Sequence, residues 1–216
     1  MNIKENYRRI QSEIPNAKII AVTKYVDTEK VVEAYQAGLR DFGENRLQDA
    51  EKKMKELPKE INQNITWHFL GHLQTNKAKK VTGSFGYIHS VDSIKLAQIL
   101  SESAQEKAIS QKILIQVNIS GEQTKFGFSA DELKTSFEEL INLKNIEIVG
   151  LMTMAPFAED ENIQRRTFKG LRELKDKLQT EYKINIPELS MGMSNDYRVA
   201  YSEGATIVRI GRALFC

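Results

Sequence analysis

Ile19-Ile20-Ala21-Val22-Thr23-Lys24-Tyr25 is a run of apolar, partly β-branched residues that ends on a lysine, with Asn16 before it and Asp27-Thr28 after it. Its length and flanks are those of a short strand buried on both faces in a parallel sheet. A helix then begins near Thr28, whose hydroxyl reads as the N-cap, and ends at Gly38. The same strand-then-helix unit recurs to the end of the chain. Strands are expected at 18–23, 41–43, 66–70, 87–90, 113–117, 146–152, 188–190 and 206–209. Helices are expected at 46–56, 75–81, 93–108, 130–142 and 162–179, with a further helix N-terminus near Asn195. A helix over 3–14, with Ile3, Tyr7, Ile10 and Ile14 on one face, precedes the first strand. Eight strands alternating with helices, with no strand-rich or helix-rich block, predict an α/β fold: a single (β/α)8 TIM-like barrel over residues 1–216 rather than an open doubly wound sheet. The open sheet is further disfavoured by the lack of a Gly-rich dinucleotide fingerprint or a phosphate-binding P-loop.

Composition bounds the partners. The 216 residues suit one barrel, since such domains run to about 200–250 residues. Lys and Arg number 31 against 29 Asp and Glu, so the chain lacks the basic field that general nucleic-acid binding needs. Residues 1–11 contain no signal-peptide core, and no run approaches the roughly 18 apolar residues of a membrane span. A cytoplasmic protein is expected. The only cysteine is Cys216, which rules out an intrachain disulfide and a cysteine metal cluster.

In barrels of this kind the chemistry is built from the loops that follow the strands. Those loops open with Lys24, then Glu44 and Asn45, His72, Ser90 and Asp92, Asn118, Thr153, Ser190 to Asn195, and Arg209 to Arg212. Read alone, Lys24 is a solvated strand cap. Burial beside an apolar wall would instead disfavour its ammonium form and give an amine able to attack a carbonyl. The last two loops shift the balance. Gly192 permits close backbone approach, while the Ser194 hydroxyl and the helix N-terminus near Asn195 suit a phosphate; the amides of Gly211 and Arg212 would complete the cup. A lysine facing a phosphate cup across the barrel mouth suggests a phosphorylated carbonyl compound held as a Schiff base. Pyridoxal phosphate and the substrate of a sugar-phosphate aldolase both satisfy that pattern. Arg209 discriminates between them, because a guanidinium can only donate and would leave a pyridine nitrogen unprotonated.

The blocks Ala21-Val22-Thr23-Lys24, Phe42-Gly43-Glu44-Asn45-Arg46, Trp67-His68-Phe69, Gly71-His72-Leu73-Gln74 with Asn76-Lys77, Gly150-Leu151-Met152-Thr153-Met154, Leu189-Ser190-Met191-Gly192-Met193-Ser194 with Asp196, and Val208-Arg209-Ile210-Gly211 span nearly the whole chain in order. Together they resemble the pyridoxal phosphate homeostasis protein family. The resemblance implies a single barrel like the N-terminal domain of alanine racemase, with pyridoxal 5'-phosphate on Lys24. It also implies Arg209 at the pyridine nitrogen, Ser194, Gly211 and Arg212 at the phosphate, and Asn45 near the ring. A non-catalytic carrier or regulator of cofactor and amino-acid pools follows, a monomer whose partners are pyridoxal phosphate, other B6 vitamers and cofactor-accepting apoenzymes. Tyr201 and Cys216 stand where the family carries small or aliphatic residues.

The alternative is an amino-acid racemase of the alanine racemase type. Racemisation needs an acid/base on each face of the ring; Lys24 serves one, and racemases of this type bring the other from an additional domain that does not follow residue 216. His68 and His72 are four apart, but Phe69 rather than Glu follows the first, so hydrogen bonding is expected there and no metal. Lys77, Lys79 and Lys80 read as a solvated helix face, and Met152, Met154, Met191 and Met193 as packing groups.

Overall fold

The computed structural model describes residues 2–122, 124–157 and 160–216. The elements are α1 (Ile3–Glu13), β1 (Lys18–Val22), α2 (Thr28–Gln36), β2 (Asp41–Glu44), α3 (Leu47–Glu56), α4 (Lys59–Gln63), β3 (Thr66–Phe69), α5 (Thr75–Val81), β4 (Tyr87–Val91) and α6 (Ile94–Glu106). They continue with β5 (Gln111–Gln116), α7 (Ala130–Ile141), β6 (Ile146–Met152), α8 (Glu161–Tyr182), β7 (Glu188–Ser190), α9 (Tyr197–Ser202), β8 (Ile207–Ile210) and α10 (Arg212–Phe215). The strands follow one another in sequence order around a closed barrel, all parallel. The expected (β/α)8 barrel is therefore the architecture observed.

Closure rests on β8 returning to β1, with Lys18 opposite Ile207 and Ala21 opposite Ile210. The same residues explain why the strands look so apolar in sequence: their outward faces sit under helices and their inward faces fill the barrel, leaving Ile20, Ala21, Ile207 and Val208 with no exposure. Where two strands must approach closely, glycine is required. A Cβ on Gly150 of β6 would lie 2.0 Å from the Glu188 carbonyl oxygen on β7. The last turn is anchored from the other end of the chain, where buried Asn6 on α1 donates to the carbonyls of Leu214 at 3.0 Å and Cys216 at 3.4 Å.

Several boundaries depart from the sequence reading. The cap of α2 is Asp27, whose carboxylate accepts from the Lys30 amide at 3.0 Å; the Thr28 hydroxyl donates to Glu56 instead, at 2.6 Å. Both residue types cap well, and the extended backbone falls at Asp27, one residue earlier. The short α4 was not expected, since its five residues are all at least partly exposed and leave no periodic apolar signal. α8 runs on to Tyr182 and stops at Lys183, which takes the left-handed conformation (φ 54°) normally left to glycine. Among the described residues, no helix is long and apolar enough to cross a membrane.

Candidate functional site

Because β1 and β8 are neighbours, the loop carrying Lys24 lies beside the loop carrying Gly211, not across the mouth from it. A Cβ on Gly211 would come 3.6 Å from the Val22 carbonyl oxygen. The chain turns sharply after β1. Thr23 is buried, its hydroxyl donating to Glu44 Oε1 at 2.6 Å and its carbonyl accepting from Lys53 Nζ at 2.6 Å. Lys53 Nζ also reaches Glu44 Oε1 at 2.5 Å, so a buried ion pair holds the last fixed residue of the turn. Lys24, the next residue, is lifted into solvent, with Nζ 4.7 Å from the centroid of the Tyr25 ring. This corrects the idea of a lysine buried against an apolar wall: the turn presents an exposed amine beside an aromatic face.

The two final loops are tied together. Ser194 Oγ accepts from the Ala213 amide at 3.1 Å, which joins the loop after β7 to the start of α10 and leaves the hydroxyl proton free to donate. Gly192 has φ +92°, and a Cβ there would lie 2.5 Å from the Ala200 Cβ. Asp196 closes the loop by accepting from the Met193 amide at 2.5 Å; burial raises its carboxyl pKa, with that amide and Arg209 opposing. Among the described residues, the amides of Ser194, Asn195, Gly211 and Arg212 have no hydrogen-bond acceptor. A hydroxyl donor and unsatisfied amides on adjoining loops suit an anion.

Arg209, on β8, is 6% exposed. Its Nη1 donates to the carbonyl and the hydroxyl of Ser190, both at 2.8 Å, and Nη2 donates to the Thr153 carbonyl at 3.0 Å. Burial draws the guanidinium down to about 10, with Asp196 opposing, so it stays cationic at neutral pH. A guanidinium has five N–H donors, and these three bonds leave two for another group. A buried cation with spare donors, next to an anion cup and a lysine, fits a phosphorylated ring that carries an acceptor nitrogen.

Asn45 follows β2, the strand beside β1, and lines a cleft of about 590 Å³ between α3 and α5, with Arg46, His72, Lys77 and Lys80. Gly71 packs against its backbone so closely that a Cβ would lie 2.0 Å from the Asn45 carbonyl oxygen. His72 bonds Asp92 at 3.1 Å and stacks on Phe126, ring centroids 3.8 Å apart, while Lys79 pairs with Glu106 at 2.8 Å. Among the described residues, no group of three or more His, Cys, Asp and Glu is placed to hold a metal. Among the described residues, the exposed large apolar side chains, Tyr25, Phe126, Met154, Phe157 and Met193, all lie on loops after β1, β5, β6 and β7. They rim the mouth.

Sequence reasoning missed His89 as part of the site and gave Ser190, the expected end of the seventh strand, no role of its own. Both are fully buried, and His89 Nδ1 lies 2.9 Å from Ser190 Oγ although the two are 101 residues apart. Ser90, expected as the end of the fourth strand, is the fourth residue of β4, buried, with its hydroxyl unpartnered among the described residues.

This architecture and this loop cluster define a class, and comparison with known proteins agrees. Residues 1–216 match the alanine racemase N-terminal domain family. Alanine racemase of Clostridium difficile shares the fold at 18% identity and a TM-score of 0.77, covering 99% of this chain and 56% of that one. Much nearer are the pyridoxal phosphate homeostasis proteins of Aquifex aeolicus, 46% identical across 92% of this chain and 86% of the relative, and of a Synechocystis strain, 40% identical across 93% and 91%. The structure of PipY from Synechococcus elongatus with pyridoxal phosphate bound superposes with a TM-score of 0.91 at 37% identity, covering 100% of both chains. The chain belongs to the pyridoxal phosphate homeostasis protein family.

Proposed function

We propose that this barrel is a single-domain, cytoplasmic pyridoxal 5'-phosphate-binding protein that holds the cofactor as a Schiff base on Lys24 and acts in its homeostasis, with effects on amino-acid and keto-acid pools. The observation that carries the reading is Arg209, a buried cation with two N–H donors left over, next to the loops that offer the Ser194 hydroxyl and the amides of Gly211 and Arg212. The bound cofactor supplies an aldehyde able to condense with amines. Lys24 anchors it from the turn after β1. Ser194, Gly211 and Arg212 receive its phosphate, Arg209 donates to the ring nitrogen, and Asn45 flanks the ring from the loop after β2. An arginine at that nitrogen keeps it unprotonated and blunts the ring as an electron sink, which suits storage and transfer better than turnover.

An exposed Lys24 suits exchange. A ligand released at the mouth passes the apolar rim directly, where cofactor-accepting apoenzymes and other B6 vitamers would meet it. The experiment is uptake of added pyridoxal phosphate by the purified protein, then borohydride reduction and mass mapping. A yellow protein with the label on Lys24, lost in Lys24→Ala, is expected. A protein that stays colourless and unlabelled refutes the binding reading, and Lys24-dependent racemisation of amino acids at enzymatic rates refutes the non-catalytic one.

A further inference from the structure

We infer that Arg209, Ser190, His89, His68 and Asp41 form a one-way hydrogen-bond relay through the barrel interior, in which His89 and His68 are positioning residues that hold Ser190 as an acceptor toward Arg209. The inference rests on the reading of Arg209 as the ring-nitrogen partner and extends it to residues that never touch the cofactor.

The links are close. Arg209 Nη1 reaches Ser190 Oγ at 2.8 Å, Ser190 Oγ reaches His89 Nδ1 at 2.9 Å, His89 Nε2 reaches His68 Nδ1 at 2.9 Å, and His68 Nε2 reaches Asp41 Oδ1 at 2.9 Å. The three middle residues have no exposure. Asp41 is the first residue of β2 and Ser190 the last of β7, so the path runs from the floor of the barrel to its mouth.

The direction follows from the chemistry of the ends. An ionised carboxylate only accepts, so His68 carries its proton on Nε2 and offers a bare Nδ1. His89 must then donate from Nε2, which leaves its own Nδ1 bare and obliges the Ser190 hydroxyl to donate toward it. Ser190 is thereby left as an acceptor on the side of Arg209, which can only donate. With both rings neutral, every donor meets an acceptor. Protonating His68 would oppose two N–H groups unless His89 changes tautomer, and that change, like protonation of His89 itself, puts a proton on His89 Nδ1 so that Ser190 no longer donates to it.

The surroundings favour the neutral rings. Burial lowers the pKa of both, His89 well below its ordinary value, with His68, Arg209 and Lys18 adding to the effect at His89. At His68, Asp41 and Glu188 oppose that shift while Lys18 adds to it. Tyr87 stacks on His68 with ring centroids 4.8 Å apart. The relay ties a buried guanidinium to a carboxylate at the far end of the barrel and fixes which of its donors remain free.

Two measurements test this. Histidine ¹⁵N spectra of the cofactor-free protein at about pH 6, where an ordinary imidazole is mostly protonated, should show two neutral rings protonated on Nε2. A cationic ring at His68 or His89, or a proton on Nδ1 of either, overturns the relay whether or not any variant folds. The second is pyridoxal phosphate binding by His89→Leu and His89→Asn. The leucine leaves the Ser190 hydroxyl without an acceptor and should weaken retention by roughly tenfold and shift the absorption band; the asparagine oxygen restores the acceptor and most of the affinity. If the wild type binds and His89→Leu matches it in affinity and spectrum, the relay is wrong and the cofactor reading survives. Failure of the wild type to bind refutes the cofactor reading, and the ¹⁵N spectra then decide the relay's direction alone.

Discussion

Replacing Lys53 with methionine should cost this protein much of its stability. Lys53 Nζ lies 2.5 Å from Glu44 Oε1 and 2.6 Å from the Thr23 carbonyl, and the Glu44 side chain is fully buried. Only one carboxylate oxygen is engaged; Glu44 Oε2 has no partner among the described residues. Methionine keeps the length of the lysine and removes its charge, leaving the carboxylate with the Thr23 hydroxyl alone. Breaking such a pair from one side typically costs about 3–5 kcal/mol. At roughly 2–4 °C per kcal/mol for a chain of this size, Lys53→Met should melt about 8–16 °C below wild type. The paired variant Lys53→Met with Glu44→Leu should recover most of the loss, since removing both charges leaves nothing buried and unpaired. Thermal and urea melts decide it. A single variant within about 1 kcal/mol of wild type, or a paired variant no better than the single one, would refute the reasoning.

Asn6→Ala removes the donor to the Leu214 and Cys216 carbonyls and should destabilise by about 1–3 kcal/mol in urea melts, with faster amide exchange confined to the last turn. Gly150→Ala forces a Cβ to 2.0 Å from the Glu188 carbonyl and should part β6 from β7, giving little folded protein on chromatography. Arg198 at 2.8 Å, with Tyr197 and Arg9, holds Glu13 at about 2 against an ordinary 4.5. That depressed value contributes stability above about 4.5, lost as the pH falls through about 2. Urea melts of Arg198→Ala should therefore show a deficit, under about 1 kcal/mol for so exposed an arginine, that closes in strong acid.

How much of this was legible in the sequence depended on the distance over which each feature is decided. The barrel was legible because every strand-and-helix unit repeats the same local pattern, and the rule that chemistry follows the strands then pointed to Ser194, Arg209, Gly211 and Arg212 with no knowledge of their contacts. Where a choice lay between adjacent residues the pattern failed, as with Asp27 taking the cap expected of Thr28. The position of Lys24 was misjudged for a different reason. Its setting is fixed by Thr23, and Thr23 is held by Glu44 and Lys53, 21 and 30 residues away. The relay is the extreme case. His68 and His89 looked like ordinary strand residues because the groups that orient them, Asp41 and Ser190, come from strands that only barrel closure brings to the same interior. On the proposed reading the site divides accordingly: Lys24, Ser194 and Gly211 sit on loops, where local sequence reveals them, while Arg209 and the groups proposed to orient it, Ser190, His89, His68 and Asp41, sit on strands. Substitutions at the mouth should therefore alter what is bound, and substitutions at His68 or Asp41 the state in which Arg209 meets it.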